Sequence, residues 1–372
     1  RSSSYQSHSN RSHSGNDISI DKIIIAIFIV VFVYKTYENY ISEENEKTSQ
    51  QKRYNDYSLN KNTFKEAKNI IGEKDFKNRN PEFLKETFLK KVEIAFTEIQ
   101  NAWSDKNLRN VRRYISDSVY QRFNVQLQMM NILEQVDKIT DLKIISTIID
   151  KYEKDGEYDV IHVGIMADIT DVFTCKKYPS LNEDASERFI EYWSFIRKKG
   201  NESNDIYSKN NCPKCGSPLG DNMGEVSKCE HCGTITNKGD YDWILAEITQ
   251  MSDYLDEQTI STSNSVIKLY EKDVNFSIQH IEDKVSNGYI QICKALAFNK
   301  IDGIKRFVSE DYLLTLSKNP TNYLYTRFYL NYVKLVNYEE KDGKDYLTIK
   351  LKVSYKRVIE ENSELKLLDR IM

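Results

Sequence analysis

Four cysteines, Cys212, Cys215, Cys229 and Cys232, stand in two C-x-x-C pairs, each followed by a glycine (CPKCG at 212–216, CEHCG at 229–233). Two thiolates three positions apart in a tight turn grip one tetrahedral ion from one side, and a second such knuckle closes the site from the other. The spacing is that of a zinc ribbon. With sulfur in all four positions no place is left for water, so the expected cofactor is a structural Zn2+ that staples a small subdomain and does not act as a Lewis acid. His231, inside the second knuckle, reads as an exposed spacer, and the sequence leaves open its exchange for one thiolate.

A chain of 372 residues, 40% hydrophobic and 29% charged, has room for two or three globular units and carries too many charges for a polytopic membrane protein. The net charge of −3 gives no general attraction to nucleic acid. Cys175 and Cys293 remain outside the knuckles and read as small apolar fillers, a usage that fits a reducing compartment. The sequence begins at Arg1 without an initiator methionine, so an upstream segment is expected and a signal peptide would not be visible.

Residues 1–17 are serine-rich without an aliphatic side chain, and read as a disordered tail. Within 18–35 the run IIIAIFIVVFVY is apolar on every face and flanked by charges, which predicts a single transmembrane helix, short but extendable by Lys22, Lys35 and the tyrosines beyond it. Residues 36–79 mix Lys and Glu without a heptad and read as a polar tether. A first α+β domain is expected at 80–204. Its opening helix has Asn80 as cap, followed by Leu84, Phe88, Val92, Ala95, Phe96, Ile99, Ala102 and Trp103 at three- and four-residue steps. Ser116-Asp117 caps a later helix. Strand-like alternation then covers 142–152, 157–173 and 188–197. The ribbon with its docking segment, Trp243, Ile244, Leu245 and Ile248, occupies 205–250.

Sliding the chain along itself pairs Val92 with Val285, Phe96 with Tyr289, Ile99 with Ile292 and Tyr114 with Phe307. Further on, Glu153-Lys154-Asp155-Gly156 matches Glu340-Lys341-Asp342-Gly343, each before a strand-like run. A second copy of the α+β unit is therefore expected at 265–372, without a clear final strand before Met372. The fold class read from this pattern is α+β, with two cone-shaped units flanking a zinc ribbon behind an N-terminal transmembrane helix.

The helix, capped turn and sheet, the strand FIEYWSFIRKKG, and CPKCGSPL, CEHCGTI and GDYDWILAEI after it, resemble the zinc-ribbon-containing bacterial branch of the family of the mitochondrial translocase of the inner membrane, subunit 44. The resemblance covers residues 80–250. It implies a nuclear-transport-factor-2-like (cystatin-like cone) domain and a non-enzymatic binding or scaffold role beside a membrane. The implied partner is a membrane lipid or a membrane-associated protein, with no nucleic acid and no small-molecule cofactor. An import role does not carry over, because the span, the ribbon and the second copy depart from the mitochondrial relative.

The cavity that a curled sheet and a long helix enclose is expected to be lined by Phe96, Trp103, Phe123, Trp193 and Phe195, the plainer alternative being that these rings fill a core. Lys106, Arg109, Arg112 and Arg113, with Lys305 and Arg306 in the second copy, form a candidate site for an anionic group, or else a solvated charged face. A cavity enzyme of isomerase or dehydratase type, using His162 with a carboxylate such as Asp168 or Asp150, is the competing reading. The reduced thiols favour a single-pass protein of a bacterial cell membrane with its folded part in the cytoplasm.

Overall fold

The computed structural model describes residues 70–199, 205–220, 226–298, 300–318, 324–361 and 364–371. All of them belong to one compact unit that runs from Asn62 to Met372. The serine-rich tail, the expected span at 18–35 and most of the tether lie outside the described residues. Among the described residues no helix is long and apolar enough to cross a membrane.

The chain enters as β1 (Ile70–Ile71) and α1 (Glu73–Arg79), and Phe76 of α1 is wholly buried. The last ten residues assigned to the tether are thus structured, because Phe76 stacks on Tyr152 at 4.4 Å. Asn80 does not cap the long helix α2 (Lys85–Ser104), which starts after Leu84. Its backbone N–H ends α1 instead, and its side chain donates to Asp159 Oδ2 at 2.7 Å. The stripe on α2 behaves as its spacing requires: Phe88, Val92, Ala95, Phe96 and Ile99 are all buried. A 3-10 turn at Arg112–Tyr114 leads into α3 (Asp117–Ile132), whose first turn is held by Ser116 Oγ accepting the Val119 N–H at 3.2 Å.

Strands β2 (Gln135–Asp155), β3 (Tyr158–Cys175), β4 (Glu183–Lys198) and β5 (Ile244–Gln250) follow, and with β1 they make an antiparallel sheet in the order β1-β2-β3-β4-β5. Three bulges in β2, between Thr140 and Lys143, Ile144 and Ser146, and Ile149 and Lys151, curl it. Alternate residues of β3, Ile161, Val163, Ile165 and Ala167, face the core shared with α2, while His162 and Gly164 lie on the opposite side of the strand. The fifth strand comes from the segment after the two cysteine pairs, so the docking expected of Ile244, Leu245 and Ile248 is a strand pairing along β4.

Short helices α4 (Met251–Glu257) and α5 (Ile267–Lys272) connect to a second subdomain, α6 (Ile278–Phe298), a 3-10 turn at Ile301–Ile304, α7 (Glu310–Lys318), β6 (Leu324–Lys341), β7 (Lys344–Glu361) and β8 (Glu364–Ile371). Its sheet runs β6-β7-β8. The order of elements is that of the first subdomain. Helix α6 starts 193 residues after α2 (278 − 85). The three bulges of β6 fall 186 residues after those of β2 (326 − 140, 330 − 144 and 335 − 149). A final strand, β8, is present and pairs with β7, contrary to the sequence reading, which found no clear alternation there.

The two subdomains share a helix. Val125 and Met129 of α3 sit in one apolar cluster with Ile290, Cys293 and Ala297 of α6 and with Phe328, Leu330 and Val333 of β6. The long helix of the second subdomain is therefore covered from outside by the first.

Candidate metal centre

The two knuckles have matching backbones. In the first, Cys212 N–H donates to Ser217 O at 2.7 Å and Gly216 N–H to Cys212 O at 2.9 Å; in the second, Cys229 N–H donates to Thr234 O at 2.8 Å and Gly233 N–H to Cys229 O at 2.9 Å. Gly216 and Gly233 take φ of 75° and 71°, the left-handed conformation that explains a glycine after each pair. The four sulfurs of Cys212, Cys215, Cys229 and Cys232 all lie within 4.8 Å of one another. Cys212 and Cys232 approach to 3.6 Å and Cys215 and Cys229 to 3.9 Å. A tetrahedral ion with sulfur at about 2.3 Å separates its ligands by about 3.8 Å, so the set can hold a metal ion. His231 is exposed and outside the cluster.

The flanks of the four-cysteine segment are pinned to the first subdomain. Asp242, wholly buried, accepts from Lys91 Nζ of α2 at 2.6 Å and from Ile206 N–H at 3.2 Å. Tyr207 stacks on Tyr114 at 4.6 Å and donates its hydroxyl to Trp243 O at 2.7 Å. Asn237 donates to Ile115 O at 3.0 Å and to Asp117 Oδ1 at 2.9 Å.

Two of the cations assigned to an anion site belong to this docking surface. Arg113 donates through Nε to Ile206 O at 2.6 Å and through Nη2 to Tyr207 O at 2.7 Å, and Arg112, wholly buried, pairs with Asp117 at 2.5 Å and lies over the Tyr120 ring. Their charge is used inside the protein. Lys106 donates to Gln135 O at 2.7 Å and Asn131 Oδ1 at 3.0 Å, Lys305 pairs with Asp302 at 2.9 Å, Arg306 lies over Phe307, and Arg109 is exposed. The six do not gather into one site. Short-range spacing on a turn could not show that two of them point inward.

The aromatic residues divide similarly. Phe96, Trp193 and Phe195 are wholly buried in the core, with Phe96 and Trp193 centroids 5.3 Å apart, while Trp103 and Phe123 pair at its edge at 5.7 Å. They fill the space between helix and sheet. A cavity of about 20 Å³, room for one water molecule, lies elsewhere, between α3, β5, α6 and β6, and is lined by Arg122, Glu247, Glu282 and Asp283 among others.

His162 is buried on the far side of β3, its Nδ1 2.9 Å from Ser194 Oγ and its Nε2 3.5 Å from Glu153 Oε1. Burial, then the Lys151 charge, holds the imidazole below its ordinary pKa. Glu153 is held well below the carboxylate range: burial opposes this, and Lys151 and His162 overcome it. The carboxylates weighed in the sequence reading are not its partners. Asp168 pairs with Arg188 at 2.6 Å on the surface, and Asp150 accepts the Tyr254 hydroxyl at 2.8 Å.

Residues 71–207 match the family model of the Tim44-like domain. Over that stretch the chain resembles the Tim44 family. The match begins at β1 and ends at Tyr207, so it takes in α1, both long helices and four strands of the curled sheet. The cysteine cluster, β5 and the second subdomain lie beyond it. No curated protein and no solved structure matches the chain.

Sequence reasoning missed Asp242, Asp155, Glu247 and Glu282. A signal existed for two of them: Asp242 and Glu247 are single acids in the otherwise apolar run YDWILAEI, where a charge needs a partner.

Proposed function

We propose that this protein is a membrane-tethered, non-enzymatic binding or scaffold module, built from two copies of one α+β cone and braced by a structural zinc ion on Cys212, Cys215, Cys229 and Cys232. Its partner is a membrane lipid or a membrane-associated protein. The observation that carries the reading is the closed set of four sulfurs beside a Tim44-like domain. Four thiolates fill a tetrahedral ion and leave no position for a substrate, which is the chemistry of a brace.

The shared spacing of helices and bulges supports the two-copy reading. The filled aromatic core moves the binding surface away from the interior, so the partner is held on the outside of the cones. The N-terminal apolar run supplies the tether, with the thiols on the reducing, cytoplasmic side.

Native mass spectrometry on protein extracted gently from its host membrane tests this. A lipid or protein should co-purify, with zinc bound. Recovery of the full chain from the soluble fraction, bare of any partner, would contradict the reading.

A further inference from the structure

We propose that the seam between the two subdomains is a proton-operated latch: Glu247 of β5 and Glu282 of α6 close it as neutral acids, and loss of their protons loosens α6 and β6 from α3 and β5.

The geometry is a shortage of positive charge in a cleft where Glu282 is buried and Glu247 and Arg122 are half-buried. Glu282 is 6% exposed, and its Oε1 accepts the Leu335 N–H of β6 at 2.7 Å. Glu257 of α4, 5% exposed, takes Lys334 of β6 at 3.0 Å. Glu247 lines the water-sized cavity with Glu282 and with Arg122 of α3, which also donates to Ile248 O at 3.1 Å. Three carboxylates thus meet two cations, and a buried carboxylate without its own cation costs several kcal/mol, more than taking up a proton.

The surrounding elements do not restore the balance. Asp283 of α6 faces the same cavity and is bonded to Ser118. From β2, Glu153 faces Lys334 and Asp155 faces Glu282. Around Arg122 stand Glu191 of β4, Asp253 of α4 and Tyr329 of β6. Lys352 of β7 is spent on Asp253 at 3.0 Å and Asp256 at 3.2 Å.

The direction of titration agrees. Burial, then Lys334 in opposition and Glu257 in support, pushes Glu282 up to about 8, and burial with Glu257 and Glu282 pushes Glu247 well above the carboxylate range. Burial likewise lifts Asp283 to about 6. A carboxyl raised in the closed state contributes fully at pH below its ordinary value, and that contribution is lost as pH rises through the raised value. The latch is therefore tightest below the ordinary carboxylate range and slackens progressively as pH rises through about 8. Slackening exposes the apolar cluster of Val125, Met129, Ile290 and Cys293.

The test is hydrogen exchange on the full chain, with protection expressed against the unstructured chain at each pH so that intrinsic base catalysis cancels. From pH 6 to pH 9, α3 and α6 should lose at least about tenfold in protection while β3 and β4 keep theirs. In the double variant E247Q/E282Q that loss should shrink to within about threefold. Three results overturn the proposal: seam protection that is flat with pH in the native chain, an equal loss in the double variant, or protection that follows added sodium or calcium at fixed pH. If the variant does not fold, the contrast of α3 and α6 with β3 and β4 in the native chain still decides.

Discussion

Asp155, at the tip of the first subdomain's hairpin, caps the long helix of the second by accepting the Gln279 N–H at 3.0 Å. The same carboxylate takes the Ile278 N–H at 2.8 Å, the Ser277 hydroxyl at 2.7 Å and the Tyr270 hydroxyl at 2.6 Å. The first turn of a helix has unpaired N–H groups and a positive end, and here a distant residue satisfies both. Among the described residues the matching hairpin tip of the second subdomain, Asp342-Gly343, is exposed and caps no helix.

Asp155→Ala should lower stability by about 2–3 kcal/mol, since it removes a buried cap and strands several donors. Asp155→Asn should cost less. Urea unfolding followed by circular dichroism measures both, and a loss within about 0.5 kcal/mol for the alanine would show that the cap is idle.

Two glycines in matching turns separate docking from backbone strain. Gly156 has φ of 65° and a Cβ there would stand 2.5 Å from Phe276 O, whereas Gly343 has φ of 71° and open space around it. Gly343→Ala should cost about 1 kcal/mol for the left-handed backbone alone, and Gly156→Ala about 2 kcal/mol more for the clash. Equal losses in thermal unfolding would mean that the hairpin tip is not docked.

His280 sits edge-on to the Tyr158 ring at 4.6 Å, and burial lowers its pKa to about 4. A histidine depressed in the fold contributes fully above its ordinary pKa of about 6.5 and loses that contribution as pH falls from there toward 4. Allowing for partial exposure, the swing is on the order of 2 kcal/mol. His280→Phe should flatten the stability profile between pH 6.5 and pH 4 by that amount, and an unchanged slope would assign the acid sensitivity to other groups.

Asp242→Asn should detach the four-cysteine segment more than any change on its surface. It leaves Lys91, 8% exposed, without its carboxylate, at a cost of about 3–5 kcal/mol. Limited proteolysis should then cut near residues 205–250 sooner than in the native chain. Cleavage at the native rate would show that the other flank contacts suffice.

How much of this was legible in the sequence depends on range. The knuckles, the α2 stripe, the Ser116 cap and the hairpin at Gly156 are local, and spacing within a few residues reveals them. The common order of helix and hairpin in the two subdomains was legible because the apolar register persists over both. What stayed hidden depends on partners far along the chain. Asn80 looks like a helix cap until Asp159 claims its side chain, Arg112 and Arg113 look like a surface patch until Ile206 and Tyr207 cover them, and α3 looks like part of one subdomain until Val125 and Met129 enter the core of the other.

The metal bears most directly on both fold and function. Zinc-edge X-ray absorption on the full chain, purified without added metal, should find one zinc per chain with four sulfur ligands at about 2.3 Å and no lighter neighbour. A nitrogen or oxygen in the first shell, or a chain that is metal-free and equally resistant to protease around 205–250, would contradict it.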